Sequence, residues 1–146
     1  MELSVVMDTN VLISGVLWRG VPFSLLKWVE NGKLIVFSSR DILSEVYRVL
    51  HYPKFQQYIK NNDTSPGELF EKLASLCSVI QVNQEVYHVC SDPDDEKFLS
   101  CALAANAKVL ISGDNHLLEL KEYQSIHIRT AREFYMENIH KIEDRK

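Results

Sequence analysis

The stretch LSVVMDTNVLISG at residues 3–15 indicates how the chain begins to fold. Its first five residues, Leu3 to Met7, are mostly apolar and do not alternate with polar residues, which is typical of a strand buried in a parallel sheet. Asp8 ends this strand, and the apolar residues beyond it predict a helix from Asn10. The chain therefore opens with a buried strand, an aspartate and a helix.

Further strands and helices alternate along the sequence. The predicted strands are Leu34 to Phe37, Ser78 to Val82, Lys108 to Ser112 and Ile126 to Arg129. The predicted helices run from Val21 to Asn31, from Ser38 or Ser39 to near Tyr52, from Phe55 to Asn62, from Ser65 to Leu76, from Asp94 or Asp95 through Leu103, around His116 to Leu118, and from Thr130. Strands joined by helices imply right-handed crossovers, so we predict an α/β fold with a mainly parallel sheet and helices on both faces.

Length and composition fit one folded domain. The 146 residues are 46% hydrophobic and 25% charged, as in ordinary globular proteins. We expect one domain over residues 1–140 and a frayed polar tail over residues 141–146. The chain has no basic leader and no apolar stretch near the roughly 18 residues of a membrane span, so we expect a cytoplasmic protein that does not enter the membrane.

The cysteines and the net charge limit which kinds of function are expected for this chain. Cys77, Cys90 and Cys101 form neither a CxxC motif nor an even set, which favours reduced, buried thiols. A net charge of −4 argues against a general nucleic-acid binder, which usually carries a basic excess. It does not argue against a nuclease, because cations bound to acidic side chains invert the local charge.

Four acidic residues are predicted to meet at one edge of the sheet. Asp8 ends the first strand, Asp114 follows the strand that ends at Ser112, and Asp95 lies in the first turn of a helix. The carboxyl ends of parallel strands and the helix starts after them share one edge, where ligand sites form. Glu45 is predicted to face inward, because it lies on the apolar stripe of its helix.

Clustered carboxylates predict a bound cation. They would repel one another and raise each other's pKa unless a positive ion lay among them. Oxygen ligands without a cysteine or histidine pair favour Mg²⁺ or Mn²⁺ over Zn²⁺. Our hypothesis is that Asp8, Asp95 and Asp114 hold one such ion, with Glu45 assisting it or a second ion. The ion would activate a water for in-line attack on a phosphodiester.

Each acid also has a structural explanation. Asp8 can cap the first helix, Asp95 can be an N-cap, and Asp114 can be a turn residue beside Gly113. Glu45 can form a buried ion pair with Arg48 or Arg40. These alternatives stay open at the level of the sequence.

Four segments together resemble the PIN-domain family over nearly the whole chain. They are DTNVLISG at Asp8 to Gly15, SEVYRVL around Glu45, DPDDEKFLSCALAANA at Asp92 to Ala107 and VLISGDNHLL at Val109 to Leu118. They are most similar to the branch of toxins in toxin–antitoxin systems, relatives of the VapC-type ribonucleases. The resemblance implies a three-layer α/β/α sandwich and a metal-dependent ribonuclease with Mg²⁺ or Mn²⁺. It further implies products with a 5′-phosphate and a 3′-hydroxyl, a cognate antitoxin partner and self-association.

The resemblance also assigns roles to residues. Asp8, Glu45, Asp95 and Asp114 match the family's four acidic positions, and Asp95 is preferred over Asp92 and Asp94 because Phe98, Leu99 and Ala102 follow it as the family's helix requires. Supporting contacts to these acids or to the phosphate are expected from Thr9, Asn10, Ser112 and Asp94. Many relatives have a further acid after the last aspartate, where this chain has Asn115 and His116. That difference argues against a fully occupied second metal site.

Residues that bind the RNA backbone are weakly indicated. Arg19, Arg40 and Arg48 are the candidates, and Trp18 either stacks on a base or packs against protein. Two other functions fit the pattern less well. Asp8 after the first strand is typical of an aspartyl-phosphate nucleophile, but the usual DxD is absent. The fold can also serve as a non-catalytic module that binds RNA or protein.

Overall fold

The computed structural model describes residues 3–143, which fold around a six-stranded sheet. The strands are β1 (Leu3–Met7), β2 (Leu34–Ser38), β3 (Cys77–Val79), β4 (Val109–Ile111), β5 (Glu122–Tyr123) and β6 (Ile126–Arg129). The helices are α1 (Thr9–Leu17), α2 (Val21–Glu30), α3 (Arg40–Leu50), α4 (Pro53–Asn61), α5 (Pro66–Leu76), α6 (Glu96–Ala105), α7 (Asn115–Leu118) and α8 (Ala131–Ile142). A 3-10 turn over Pro93–Asp95 precedes α6. The predicted mainly parallel α/β fold is confirmed.

The order of strands in the sheet locates its ligand-binding edge. The order is β3-β2-β1-β4-β6-β5, and all neighbours are parallel except β5, which is antiparallel to β6. The chain moves from β1 outward to β2 and β3, and then returns to the other side of β1 as β4. In sheets of this kind, ligands bind at the carboxyl ends of the strands where the order reverses. Here that point lies between β1 and β4.

Short polar side chains start several of the helices. Asp8, Ser39 and Ser65 accept backbone N–H groups at the starts of α1, α3 and α5. Thr130 and Glu133 form the predicted capping box of α8, with both reciprocal hydrogen bonds present. Such bonds satisfy N–H groups that have no partner within the helix. The starts of these helices are therefore determined locally by the sequence.

The core lies on both faces of the sheet. The central strand residues Val5 and Val6 are fully buried, as are Ile42, Val46 and Leu50 on the predicted stripe of α3. The three cysteines are free, and Cys101 is buried while Cys77 and Cys90 are partly buried. Among residues 3–143, no helix is both long enough and apolar enough to span a membrane.

The structure corrects four sequence predictions. The strand expected at Ser78 to Val82 is the shorter β3, which continues only through a backbone hydrogen bond from Ile80 to Ser38. Strand β5 was not predicted, because two residues at a sheet edge carry too little pattern. The helix predicted to open at Asp94 or Asp95 begins at Glu96, with Asp95 at its N-cap position, and Asp92 caps the 3-10 turn before it.

The fourth correction concerns the polar tail expected at residues 141–146. Helix α8 continues to Ile142, and the Trp28 indole donates a hydrogen bond of 2.7 Å to Glu143. That bond connects the end of α8 to α2. A tertiary contact therefore holds the chain in place as far as Glu143. The last three residues of the expected tail lie outside the described residues.

Candidate active site

Asp8 is fixed where β1 ends beside β4. Its backbone N–H donates to the carbonyl of Ile111, 3.0 Å away, which extends the pairing of β1 with β4. One side-chain oxygen accepts the Val11 N–H at 2.8 Å, and the other accepts the Ser112 hydroxyl at 2.6 Å and the Gly113 N–H at 3.3 Å. Asp8 therefore caps α1, which was the alternative role considered for it, and its side chain is also hydrogen-bonded to the residues that follow β4.

The environment of Asp8 opposes its negative charge. The residue is 4% exposed, and burial raises the pKa of its carboxyl group. The hydrogen bonds from Ser112, Val11 and Gly113 act in the opposite direction, and the nearby charge of Asp114 raises the pKa further. A cation beside Asp8 would offset both the cost of burying its negative charge and the repulsion from Asp114.

Asp95 ends the 3-10 turn and points into the protein. It is 8% exposed, and its side chain caps no helix. One of its carboxylate oxygens, Oδ2, is buried and has no hydrogen-bond partner among residues 3–143. Burial and the charge of Asp114, together with hydrogen bonding to Asp114, raise the pKa of Asp95 to about 7. Such a carboxylate is costly to keep ionised unless a positive group reaches it.

Asp114 is joined to Asp8 through Ser112. Its side chain caps α7 by accepting the His116 N–H at 2.8 Å, which agrees with the structural explanation of a turn or cap residue. Its backbone N–H donates to the Ser112 hydroxyl at 2.9 Å, and that hydroxyl in turn donates to Asp8. Ser112 therefore links the two aspartates through hydrogen bonds, which is the kind of supporting contact that the family resemblance implied for it.

Glu45 is tied to three neighbours. Thr9 donates its hydroxyl to Oε1, and the Lys97 ammonium lies 3.1 Å from Oε2. Arg48 lies 3.6 Å from the same oxygen, so the ion pair considered as an alternative is present. The Glu45 side chain is 18% exposed and that of Lys97 17%, which makes this pair half-buried. Glu45 is therefore less available to a cation than Asp95.

All four acids line one pocket of about 290 Å³. We call it the acidic pocket. It is lined by Asp8, Thr9, Asn10, Glu45, Val49, Tyr52, Lys54, Asp92, Asp94, Asp95, Phe98 and Asp114. Residues more than a hundred positions apart in the chain thus share one small space. The supporting residues Thr9, Asn10 and Asp94 line it too, while Ser112 reaches it through Asp8 and Asp114.

The acidic pocket fits a weakly coordinated hard cation. Its donors are carboxylate oxygens, and the unpartnered Oδ2 of Asp95 is the kind of atom that a cation would satisfy. Within residues 3–143, no three acidic, histidine or cysteine side chains lie close enough together to enclose an ion. Mg²⁺ does not need such a cage, since it binds through one or two carboxylates and keeps several waters. The residues therefore fit Mg²⁺ or Mn²⁺ held by few protein ligands.

The predicted RNA-binding arginines do not line the acidic pocket. Arg19 lies over the Phe23 ring, 5.1 Å from its centroid, and Arg40 lines an apolar groove with Tyr47. Arg48 is held beside Glu45. Trp18 packs against aromatic rings of α4 and is 42% exposed. Of the two roles considered for Trp18, this contact favours packing against protein over stacking on a base.

Lys97 is the site residue that the sequence analysis missed. Besides its ion pair with Glu45, its ammonium donates to the Asp94 carbonyl at 2.7 Å. It follows Asp95 by two positions, at the start of α6, so a search for cations near each predicted acid could have found it. Lys54, on α4, lines the acidic pocket.

Comparisons with known proteins identify the family and the fold. The family model described as PIN domain matches residues 4–116. An uncharacterized protein of Methanocaldococcus jannaschii is 30% identical over 145 residues, covering 93% of this chain and 92% of the relative.

A solved structure supports the fold. It is described as VapBC2 from Rickettsia felis bound to a DNA fragment from their promoter, and it aligns with 13% identity and a TM-score of 0.59. The alignment covers 88% of this chain and 98% of that one. At this identity the likeness concerns the fold alone. The family model, which matches more than half of the chain, shows that this chain belongs to the PIN-domain family.

Proposed function

We propose that this protein is a metal-dependent ribonuclease that hydrolyses RNA phosphodiester bonds in the acidic pocket. The observation that carries the proposal is the buried, unpartnered Oδ2 of Asp95, a residue that shares its pocket with the other three predicted site acids, Asp8, Glu45 and Asp114. Membership of the PIN-domain family supports the same reaction. Mg²⁺ or Mn²⁺ is the proposed cofactor.

The aspartates have separate tasks in this proposal. Asp95 and Asp114 would be the first ligands of the cation, because the charge of Asp114 raises the pKa of Asp95 and a cation would relieve this repulsion. Asp8 adds charge behind them and is oriented by Ser112. A bound Mg²⁺ or Mn²⁺ would lower the pKa of a water and neutralise charge that develops on the phosphate.

Glu45 is proposed to act from the opposite wall. Thr9 and Lys97 fix its carboxylate, so it can hold a water or assist the cation without moving. Asn10 and Asp94 line the same pocket. Asn10 is proposed to contact the phosphate, and Asp94 the waters around the cation. Lys54 can neutralise a phosphate oxygen at the rim.

The biological setting is also part of the proposal. We also propose a toxin role with a cognate antitoxin partner, which is supported by the resemblance of the four sequence segments to the toxin branch of the PIN-domain family. We further propose a cytoplasmic location and self-association.

A nuclease assay with paired variants tests the proposal. Purified protein is incubated with single-stranded RNA and Mn²⁺, with EDTA as the control. We expect cleavage that leaves 5′-phosphates and is lost in EDTA. Asp8→Asn and Asp95→Asn should fold normally and reduce cleavage by roughly two orders of magnitude or more, since each removes charge from the cation site.

Two outcomes would contradict the proposal. Wild-type activity in Asp95→Asn would exclude the assigned site, and cleavage unaffected by EDTA would exclude the cofactor. An aspartyl-phosphate mechanism is less well supported, because both oxygens of Asp8 already accept hydrogen bonds in a buried setting.

A further inference from the structure

A second cavity of about 410 Å³ adjoins the acidic pocket and shares Glu45 and Asp94 in its walls. We call it the side cavity. It lies between α3, α6 and the loop before the 3-10 turn. Its other lining residues are Ser39, Asp41, Ser44, Arg48, Val82, Glu85, Val86, Tyr87, Pro93, Glu96, Lys97 and Ser100. A volume of this size accommodates a nucleoside.

The loop beside the side cavity is fastened at two points. The Val86 N–H donates to the Ser100 hydroxyl at 2.8 Å, and Val86 itself is buried. The Glu96 carboxylate accepts the N–H groups of Val89 at 2.6 Å and Cys90 at 3.0 Å. These bonds tie both ends of a short bulge to α6.

The bulge presents an aromatic ring to the surface. Tyr87 is 66% exposed, although its neighbour Val86 is buried. His88 adopts a left-handed backbone conformation with φ of 61°, which turns the chain sharply after the tyrosine. An exposed ring on a loop with fixed ends loses little freedom when a flat ligand stacks on it. Stacking of nucleobases on such rings is a main source of affinity for single-stranded nucleic acid.

The side cavity has positively charged residues on one wall and free carboxylates elsewhere, which would favour different parts of a bound nucleotide. Lys97 and Arg48 lie on the wall next to the acidic pocket, where the backbone of a bound strand would pass. The carboxylates of Asp41 and Asp94 also line the cavity, and neither has a hydrogen-bond or ion-pair partner among residues 3–143. Free carboxylates repel phosphate but accept hydrogen bonds from amino groups of bases.

From these features we propose that the side cavity binds the base of the nucleotide next to the scissile phosphate. Tyr87 stacks on this base, and a carboxylate of Asp41 or Asp94 accepts its amino group. Guanine fits best, because its ring N–H and amino group can donate together to one carboxylate. Uracil fits least, because it has no amino group. This inference rests on the proposed ribonuclease function and adds a base preference to it.

Variants of the tyrosine test the inference with the full-length protein. Single-stranded oligoribonucleotides that differ only in the base beside the cleaved bond are compared. Tyr87→Ala should lower kcat/KM on the guanine substrate by about tenfold and reduce the preference over uracil, because base stacking is lost. Tyr87→Phe should keep most of the activity, since it retains the ring. Tyr47→Ala, which removes another exposed tyrosine outside both cavities, is the matched control and should behave as wild type.

Two further measurements separate this inference from the proposed function. Hydrolysis of methyl p-nitrophenyl phosphate, which has no neighbouring base, tests the catalytic centre by itself and should be lost in Asp95→Asn. The Asp8→Asn protein should bind the same oligonucleotides, and adding Tyr87→Ala to it should weaken this binding and reduce the preference for guanine over uracil.

The outcomes are distinct. RNA cleavage with no effect of Tyr87→Ala on rate or base preference would overturn the inference and leave the ribonuclease proposal intact. If the wild-type protein cleaves nothing, tyrosine-dependent binding would support the subsite on a non-catalytic RNA-binding protein. Absence of both cleavage and tyrosine-dependent binding would overturn both proposals.

Discussion

At the scale of single residues, the proposed chemistry of the acidic pocket depends most on Asp95. Its carboxylate is buried, lacks a partner at Oδ2 and faces Asp114. The other acids have found protein partners: Asp8 is held by Ser112 and backbone N–H groups, and Glu45 by Thr9 and Lys97. The charge of Lys97 offsets that of Asp95 only in part, so the charge on Asp95 stays largely uncompensated, which is typical of functional sites.

This uncompensated charge predicts an unusual pH dependence of stability. The pKa of Asp95 rises from 3.8 to about 7 in the folded state, so between these values the folded protein binds the proton more tightly than the unfolded chain. The contribution of Asp95 is therefore favourable at low pH and is lost as the pH rises toward 7. Asparagine carries no charge, so in EDTA Asp95→Asn should be more stable than wild type at pH 8, by about 1 kcal/mol after allowance for solvent screening.

Denaturant unfolding at pH 5 and pH 8 measures this difference. We expect the advantage of Asp95→Asn to be larger at pH 8 than at pH 5. Glu71→Gln, which changes an exposed acid on α5, is the control and should give the same small effect at both values. An Asp95→Asn variant that is less stable than wild type at pH 8 would contradict this account of the site.

At the scale of elements, the packing of α1 on α2 keeps the start of α1 in place. Gly15 lies in α1 where a Cβ atom would be 2.5 Å from Leu26 Cδ1 and 3.3 Å from the Pro22 carbonyl oxygen. Leu26 is buried, so it has little room to move. The close approach of these helices fixes the position of α1, whose first turn carries Asp8 and Thr9.

Gly15→Ala should therefore destabilise the protein by about 1–3 kcal/mol through overpacking. Gly67→Ala is the matched control, because Gly67 also lies in a helix and its added Cβ would meet only the Ser65 hydroxyl oxygen at 3.9 Å. That control should be neutral or slightly stabilising, since alanine favours helix. Thermal unfolding of both variants makes the comparison, and equal stability of the two would exclude the tight contact.

The elements also explain how much the sequence could predict. Strand β1, the stripe of α3 and the capping box of α8 are encoded by neighbouring residues, so local patterns sufficed for them. The edge strand β5 and the bulge at Tyr87 depend on contacts to β6 and α6, which no local pattern contains. The ion pair of Lys97 with Glu45 joins residues 52 positions apart and was invisible for the same reason.

At the scale of the whole molecule, the topology brings the acids together. The reversal of strand order between β1 and β4 places the ends of both strands side by side. Helix α3 adds Glu45, and the 3-10 turn before α6 adds Asp95. The sequence predicted that these acids share one edge of the sheet, and all four line one pocket. Their detailed distances depend on side-chain partners that the sequence did not reveal.

A cation in the acidic pocket should stabilise the folded molecule as a whole. A ligand that binds only the folded state adds about 2.7 kcal/mol when its concentration is 100 times Kd. We expect millimolar Mn²⁺ to raise the Tm of wild-type protein by several degrees and to leave the Tm of Asp95→Asn nearly unchanged. Differential scanning calorimetry with and without EDTA measures both. An equal rise in the two proteins would indicate that Mn²⁺ binds elsewhere.

Anomalous diffraction from crystals soaked in Mn²⁺ tests the central claim most directly. The account predicts a peak in the acidic pocket, in contact with the carboxylates of Asp95 and Asp114, and no such peak in Asp95→Asn crystals. An empty pocket at saturating Mn²⁺, or a peak only on another surface of the protein, would contradict it.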